Sequence, residues 1–223
     1  SAASDVYKRQ ADWYPTDVTF NDLGHATYTV NHKGEKVAKV ELSIPGMHNV
    51  YNSLSAFALA TCYGVDTDAI VKGIKNFTGT DRRFQFKGQF NGVNVIDDYA
   101  HHPTEIQATI NSARGTKLNK LWIMFQPHTY TRTYNHLDDF AKVLSEADHV
   151  ILLDIYASRE KDTGLVSSKD LRDKIEALGG VVTYCPTFND AEKYAVDNCR
   201  KGDMLITMGA GDVYKIGEKL VRQ

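Results

Sequence analysis

The side chains able to do chemistry in this sequence gather in short segments that each follow an apolar run. The densest is Asp97-Asp-Tyr-Ala-His-His-Pro-Thr-Glu105, which sets carboxylates and a phenol beside paired imidazoles. A strand-to-helix loop needs one capping group, so His102 or Thr104 is explained that way and the others are not. In Phe125-Gln-Pro-His-Thr-Tyr-Thr-Arg-Thr133, a switchable donor, His128, lies close to a fixed guanidinium, Arg132. A guanidinium grips a carboxylate through paired hydrogen bonds, which suits a free amino acid or an acyl-phosphate oxygen. Asp154-Ile-Tyr-Ala-Ser-Arg-Glu160 is a third polar segment of this kind. For any single residue, a structural hydrogen bond or a solvated charge explains as much. Three such segments together favour a binding site.

Other segments speak more weakly. Gly209-Ala-Gly-Asp-Val-Tyr214 could present backbone amides to an anion. A dinucleotide fingerprint would need glycine where Tyr214 stands, so close packing of strand on helix is at least as good a reading. Pro45-Gly-Met-His-Asn-Val-Tyr-Asn52 puts Asn49 and Asn52 three positions apart, on one face of a helix start. Two carboxamides can read a base edge, although a capping Asn49 is the commoner case. Arg82 and Arg83 sit together at a change in the character of the chain. They would bind neighbouring acidic groups or clamp a phosphate.

The elements that must position these residues fall into two regions. Asp17–Phe20, Ala26–Val30 and Val37–Leu42 alternate as strands do, and Asn31-His-Lys-Gly34 supplies a hairpin turn. A helix follows over His48–Tyr63, and Asp66 is placed to cap a second that runs to Ile74. From Val93 onward, strands alternate with helices. The predicted strands are Val93–Asp97, Leu121–Phe125, Val150–Leu153, Val181–Tyr184 and Met204–Met208. Helices begin near Pro103, Leu137, Ser168, Asn189 and Val213. Uniformly apolar strands imply cover on both faces, and the alternation implies a parallel α/β sheet. In such sheets ligands sit beyond the carboxyl ends of the strands, where the polar segments fall.

Composition narrows the function classes. The chain has 223 residues, 42% hydrophobic and 24% charged, with net charge −2, so neither nucleic acid nor an anionic membrane is an expected partner. The longest apolar runs are of core-strand length. Cys62, Cys185 and Cys199 have no metal or redox spacing and read as free, buried thiols of a reducing cytoplasm. Residues 1–10 fit no element and resemble a tag or junction. With no opening Met, the chain is expected to begin partway through a longer protein.

Taken together, the motifs PGMHNVYNSLSA, TDRRFQ, DDYAHHPTEI, FQPHTYTRT, DIYASRE and MGAGD resemble the Mur ligase family, in that order and over nearly the whole chain from Ala11. Within it they are most similar to the branch that adds L-alanine to UDP-N-acetylmuramate. The resemblance implies an ATP- and Mg2+-dependent cytoplasmic ligase working through an acyl phosphate in peptidoglycan precursor synthesis. It implies that residues 11–80 close a central ATPase domain and that 81–86 form a hinge. Residues 87–223 would then be a Rossmann-like, amino-acid-binding domain. His48, Asn49, Asn52, Arg83 and Asp98 match nucleotide-contacting positions. Tyr99, His101, His128 and Arg132 match residues facing the incoming alanine, with His128, Arg132 and His101 as candidate catalytic groups.

One departure is large. No G-x-x-x-x-G-K-[ST] loop occurs in the sequence, and the metal-binding residues of such enzymes would precede Ser1. The expectation is therefore of a ligase part that is inactive alone. The competing expectations are a ligase that recycles murein peptides and a non-catalytic module binding nucleotide or muropeptide.

Overall fold

A computed structural model describes residues 11–222; the expectation for residues 1–10 lies outside them. The chain divides into two compact units. The first runs to Gly79 and takes in 115–117, and the second comprises 80–114 and 118–223.

In the first unit, β1 (Trp13–Phe20), β2 (His25–His32) and β3 (Glu35–Pro45) form an antiparallel sheet in that order. Lys33 and Gly34 make the β2–β3 turn with φ of 51° and 91°, the left-handed pair that a tight hairpin needs. Alternate β2 residues Ala26, Tyr28 and Val30 point into the core. They meet Val40 and Leu42 of β3, Val50, Leu54 and Phe57 of α1 (Met47–Cys62), and Ile70 of α2 (Thr67–Asn76). The spacing of the α1 residues is that of one helix face. Buried Tyr28 keeps its hydroxyl bonded to Ser53 at 2.8 Å. Asp66 caps α2 through the Ala69 amide, as expected.

The second unit is a six-stranded sheet in the order β4-β5-β9-β6-β7-β8. Its strands are β4 (Gln85–Phe90), β5 (Val93–Asp98), β6 (Leu121–Phe125), β7 (His149–Leu152), β8 (Val182–Tyr184) and β9 (Met204–Met208). Five strands run parallel, as expected from the sequence, and β4 adds an antiparallel edge beside β5 that makes the sheet mixed. β4 escaped notice because Gln85-Phe-Lys-Gly-Gln-Phe90 is a polar, half-exposed edge.

Both faces are covered. Leu121, Ile123 and Phe125 of β6 join α3 (Pro103–Arg114), α5 (Leu137–Leu144) and α6 (Ser168–Ala177) in one core. Trp122 and Met124, of opposite parity, join α7 (Phe188–Asn198) and α8 (Tyr214–Leu220) in the other. Strand β9 enters between β5 and β6 from the α7 side, and its exit leads to α8. Its neighbours β5 and β6 send their helices to the opposite face. This is the arrangement that opens a crevice at the carboxyl ends.

Glycines permit the closest approaches. A Cβ on Gly209, whose φ is +142°, would lie 2.6 Å from the Gln126 carbonyl oxygen, and one on Gly211 would lie 2.7 Å from Gln126 Oε1. The glycine that lets a helix close on the sheet is Gly217, against Thr207 and Val95. Cys185 and Cys199 are free and buried, whereas Cys62 is free but exposed, against expectation.

Two outcomes follow from this packing. Gly164 also has positive φ, but nothing lies near its missing Cβ. Gly164→Ala should therefore cost about 1 kcal/mol of strain, and Gly209→Ala roughly 3 kcal/mol, because it adds a backbone clash. Urea unfolding of the two variants checks the difference; equal losses would contradict the packing. The second outcome concerns His149, which stacks on Trp122 at 4.4 Å and bonds to Thr183 at 2.9 Å. Burial, then Lys120, holds its imidazole below the ordinary value. The unfolded chain therefore takes up this proton first, and the stability tied to it is lost as pH falls below about 6.5. His149→Gln should flatten that part of the stability profile, measured by unfolding between neutral and mildly acid pH.

Candidate functional site

The polar segments meet at the carboxyl edge of the second unit's sheet. Tyr99, His101, His128 and Arg132, expected from the sequence to face one ligand, form a continuous row there. The Tyr99 and His101 rings meet edge-on at 5.3 Å, and those of His101 and His128 at 6.0 Å. Arg132 Nη1 lies 3.2 Å from His128 Nδ1.

These contacts assign tautomers. A guanidinium only donates, so His128 Nδ1 is the acceptor and its proton rides on Nε2. Burial, then Arg132 and His101, holds His128 below the ordinary imidazole value, consistent with a neutral ring. His101 is the complement. Its Nδ1 faces the Tyr99 carbonyl at 2.9 Å and Glu105 Oε2 at 3.4 Å, both acceptors, so Nδ1 carries a proton and, in the neutral ring, Nε2 holds the lone pair. The row thus offers a fixed cation, one N–H and one basic nitrogen.

The backbone that aims His128 is unusual. Pro127 ends β6 as expected, yet one parallel bridge forms beyond it, between His128 and Tyr156. The Tyr156 amide donates to the Pro127 carbonyl at 2.8 Å, and the Thr129 amide to the Tyr156 carbonyl at 2.9 Å. Thr129 then takes φ 67° and ψ 144°, which costs a β-branched residue roughly 1–3 kcal/mol. Immediately after it comes α4 (Tyr130–Asn135), a short helix that carries Arg132. Little in the residues signals α4, because Tyr-Thr-Arg-Thr-Tyr-Asn has poor helix propensity and too short a period.

The paired arginines have different surroundings. Arg82 donates to buried Asp97 at 3.0 Å and to the Gly209 and Gly211 carbonyls at 2.7 and 3.2 Å. It also lies over the Tyr99 and Tyr214 rings. Arg82 is therefore structural. Arg83 is exposed, and its charge acts on Asp98 and Glu105. Asp98 is 5% exposed and accepts from the Ala100 and Phe84 amides and the Thr109 hydroxyl, which accounts for its carboxylate without a ligand. Burial pushes its carboxyl up against those bonds. His102 caps α3 together with Thr104, the limited role expected of that pair.

In the first unit, Gly46, not Asn49, is the N-cap of α1. Asn49 donates to the Pro45 carbonyl at 2.7 Å and accepts from Asn52 Nδ2 at 3.2 Å. That holds the carboxamides together and leaves exposed Asn52 a carbonyl oxygen and a second amide proton for a base edge. His48, at the same helix start, is exposed. Among the described residues, no group of three His, Cys, Asp or Glu is placed to hold a metal ion.

Sequence reasoning passed over several supporting groups. Glu105 accepts from the His101 amide at 3.0 Å. Burial works to raise its carboxyl, but His101 and Arg83 outweigh that and hold it below the usual range. Glu160 accepts from the Thr131 amide at 2.9 Å. Tyr156 stacks on His128 at 5.6 Å. Buried Gln126 Oε1 has no hydrogen-bond partner among the described residues. The Asp154–Glu160 segment is visibly polar, but polarity alone does not show which neighbour it braces.

Comparison with known proteins places the sequence and the fold among known ligases. The family described as Mur ligase, glutamate ligase domain, matches residues 82–211, more than half of the chain. The UDP-N-acetylmuramate–L-alanine ligase of Lachnospira eligens is 52% identical over 93% of this chain and 45% of its own length. That of Agathobacter rectalis is 50% identical over 95% and 46%. The crystal structure of the Thermotoga maritima UDP-N-acetylmuramate-alanine ligase superposes with a TM-score of 0.81 at 26% identity, covering 96% of this chain and 46% of that one. A murein peptide ligase from Psychrobacter arcticus reaches 0.65 at 26% identity, over 96% and 44%. The chain spans about half the length of the curated relatives it matches. The matched strands and their carboxyl-edge loops make this chain a member of the Mur ligase family.

Proposed function

We propose that this chain is the amino-acid-receiving part of a cytoplasmic ligase that joins L-alanine to UDP-N-acetylmuramate at the expense of ATP. The observation that carries the reading is the His101–His128–Arg132 row at the carboxyl ends of β5 and β6. Arg132 offers the paired donors that hold an amino acid's carboxylate. His101 Nε2 is a basic nitrogen for the proton the amine sheds as it attacks an acyl phosphate. In that step the C–N bond forms, the C–O bond to phosphate breaks, and phosphate leaves with the electron pair. His128 Nε2–H can donate to the oxygen on which charge develops.

The nucleotide half rests on the matched positions His48, Asn49, Asn52, Arg83 and Asp98. Asn49 and Asn52, paired on α1, suit a base edge, and the exposed Arg83 suits a phosphate. For Asp98 the matched role is contact with ribose, which its three internal hydrogen bonds leave little capacity to make. Mg2+ would accompany the ATP and screen its phosphates. The sequence contains no G-x-x-x-x-G-K-[ST] loop, so these residues alone are expected to form no product. The alanine reading is preferred over peptide recycling because the relatives that are 52% and 50% identical over the aligned residues carry the alanine name.

Calorimetry on this chain tests the amino-acid half. L-alanine should bind and L-alaninamide, lacking the carboxylate, should bind roughly tenfold or more weakly. Arg132→Ala should lower the affinity for alanine to that of the amide and leave the amide's unchanged. Equal binding of both ligands by the unaltered chain would remove Arg132 from the role. Better binding of a murein tripeptide than of alanine would favour the recycling reading.

A further inference from the structure

Helix α4 carries the guanidinium of the candidate site, yet it is too short to be stable by itself. Its six residues include two threonines and two tyrosines, at β-branched and aromatic cost, and isolated helices of this length do not form in water. Its N-cap residue, Thr129, makes no side-chain cap hydrogen bond and sits at a strained φ of 67°. Something else must satisfy the first amides. That group is Glu160, from the loop after β7, whose Oε2 accepts from the Thr131 amide at 2.9 Å. The Thr131 and Tyr130 amides and the Thr129 and Thr131 hydroxyls together hold its carboxyl below the usual range. A carboxylate at a helix N-terminus also opposes the partial positive charge there.

The same loop reaches the other half of the pair. Tyr156 bridges to His128 through backbone bonds on either side of it and stacks on its ring. Of the charges acting on His128, Glu160 is the one that raises its pKa, against Arg132 and His101. One loop therefore touches the residues before, at and after the strained turn.

We propose that Glu160 is a positioning residue, which by capping α4 holds Arg132 against His128 Nδ1 and so fixes the N–H of His128 on Nε2. The assignment of an amino-acid carboxylate to this row rests on the function proposed above; the capping role does not.

The test uses the 223-residue chain with Glu160→Ala and Glu160→Gln. Glu160 lies at the surface, and circular dichroism and thermal unfolding should show both variants folded. In Glu160→Ala the Thr131 amide should exchange with solvent about fivefold faster or more, the loss of one cap. Nitrogen NMR of the imidazole should show His128 passing from the Nε2–H form to a mixture of tautomers. L-alanine affinity should fall about fivefold. Glu160→Gln keeps an acceptor and should recover most of each effect, which a general loosening of the loop would not. An unchanged His128 tautomer and Thr131 exchange in Glu160→Ala would overturn the proposal. Absence of alanine binding by the unaltered chain would sink the amino-acid reading instead, while the NMR arms still decide the role of Glu160.

Discussion

The second unit depends on one buried ion pair. Asp97 is the last residue but one of β5, with its side chain only 1% exposed, and burial pushes its carboxyl up despite Thr207 and Arg82. Left unpaired, such a group would cost several kcal/mol. Arg82 offsets that cost and does more, because its remaining donors take the Gly209 and Gly211 carbonyls of the turn after β9. One guanidinium thus joins the segment before β4 to the ends of β5 and β9. Its flat face also packs under Tyr99, the first residue of the candidate row. Any substitution at Arg82 or Asp97 should therefore disturb the site as well as the fold.

A second constraint acts on the far side of the crevice. The Gly209–Gly211 turn can lie against Gln126 only because neither glycine carries a Cβ. This contact fixes where β6 leaves the sheet. Pro127 then denies the ladder a donor, and the chain resumes pairing for a single residue at His128. The strain at Thr129 is what the geometry costs. Strain persists where surrounding bonds over-determine it, and here the Thr129 carbonyl accepts from both the amide and hydroxyl of Thr133. The loops after β5, β6, β7 and β9 are therefore one braced structure, although no two are adjacent in sequence.

Much of this was legible in the residues. Strands β5, β6, β7 and β9 stand out because both their faces are buried, which leaves unbroken apolar runs that periodicity cannot hide. The polar clusters after them are also visible, and Tyr99, His101, His128 and Arg132, expected to face one ligand, lie side by side. Three features were not legible. Strand β4 is an edge whose outward face is polar. Helix α4 is held by Glu160, a partner some thirty positions away in sequence, and a propensity argument has no access to such a contact. The division of labour between Arg82 and Arg83 depends on which of two adjacent side chains turns toward Asp97, and composition says nothing of that.

That division bears on how the site keeps its chemistry. A protein rich in acidic groups near an arginine tends to neutralise it internally, as Asp97 does for Arg82. Arg132 escapes this fate because its near neighbour is an imidazole, not a carboxylate, and Glu160 is engaged by the amides of α4. Burial lowers the basicity of His128, so the ring accepts from the guanidinium without sharing its charge. The cation is left with donors for an anion from outside. Glu105 plays the matching part for His101, fixing its proton on Nδ1 while bonding to its amide. Each carboxylate near the row is thus engaged by a backbone amide. The result is an arginine that no carboxylate pairs among the described residues, set beside the His128 and His101 imidazoles.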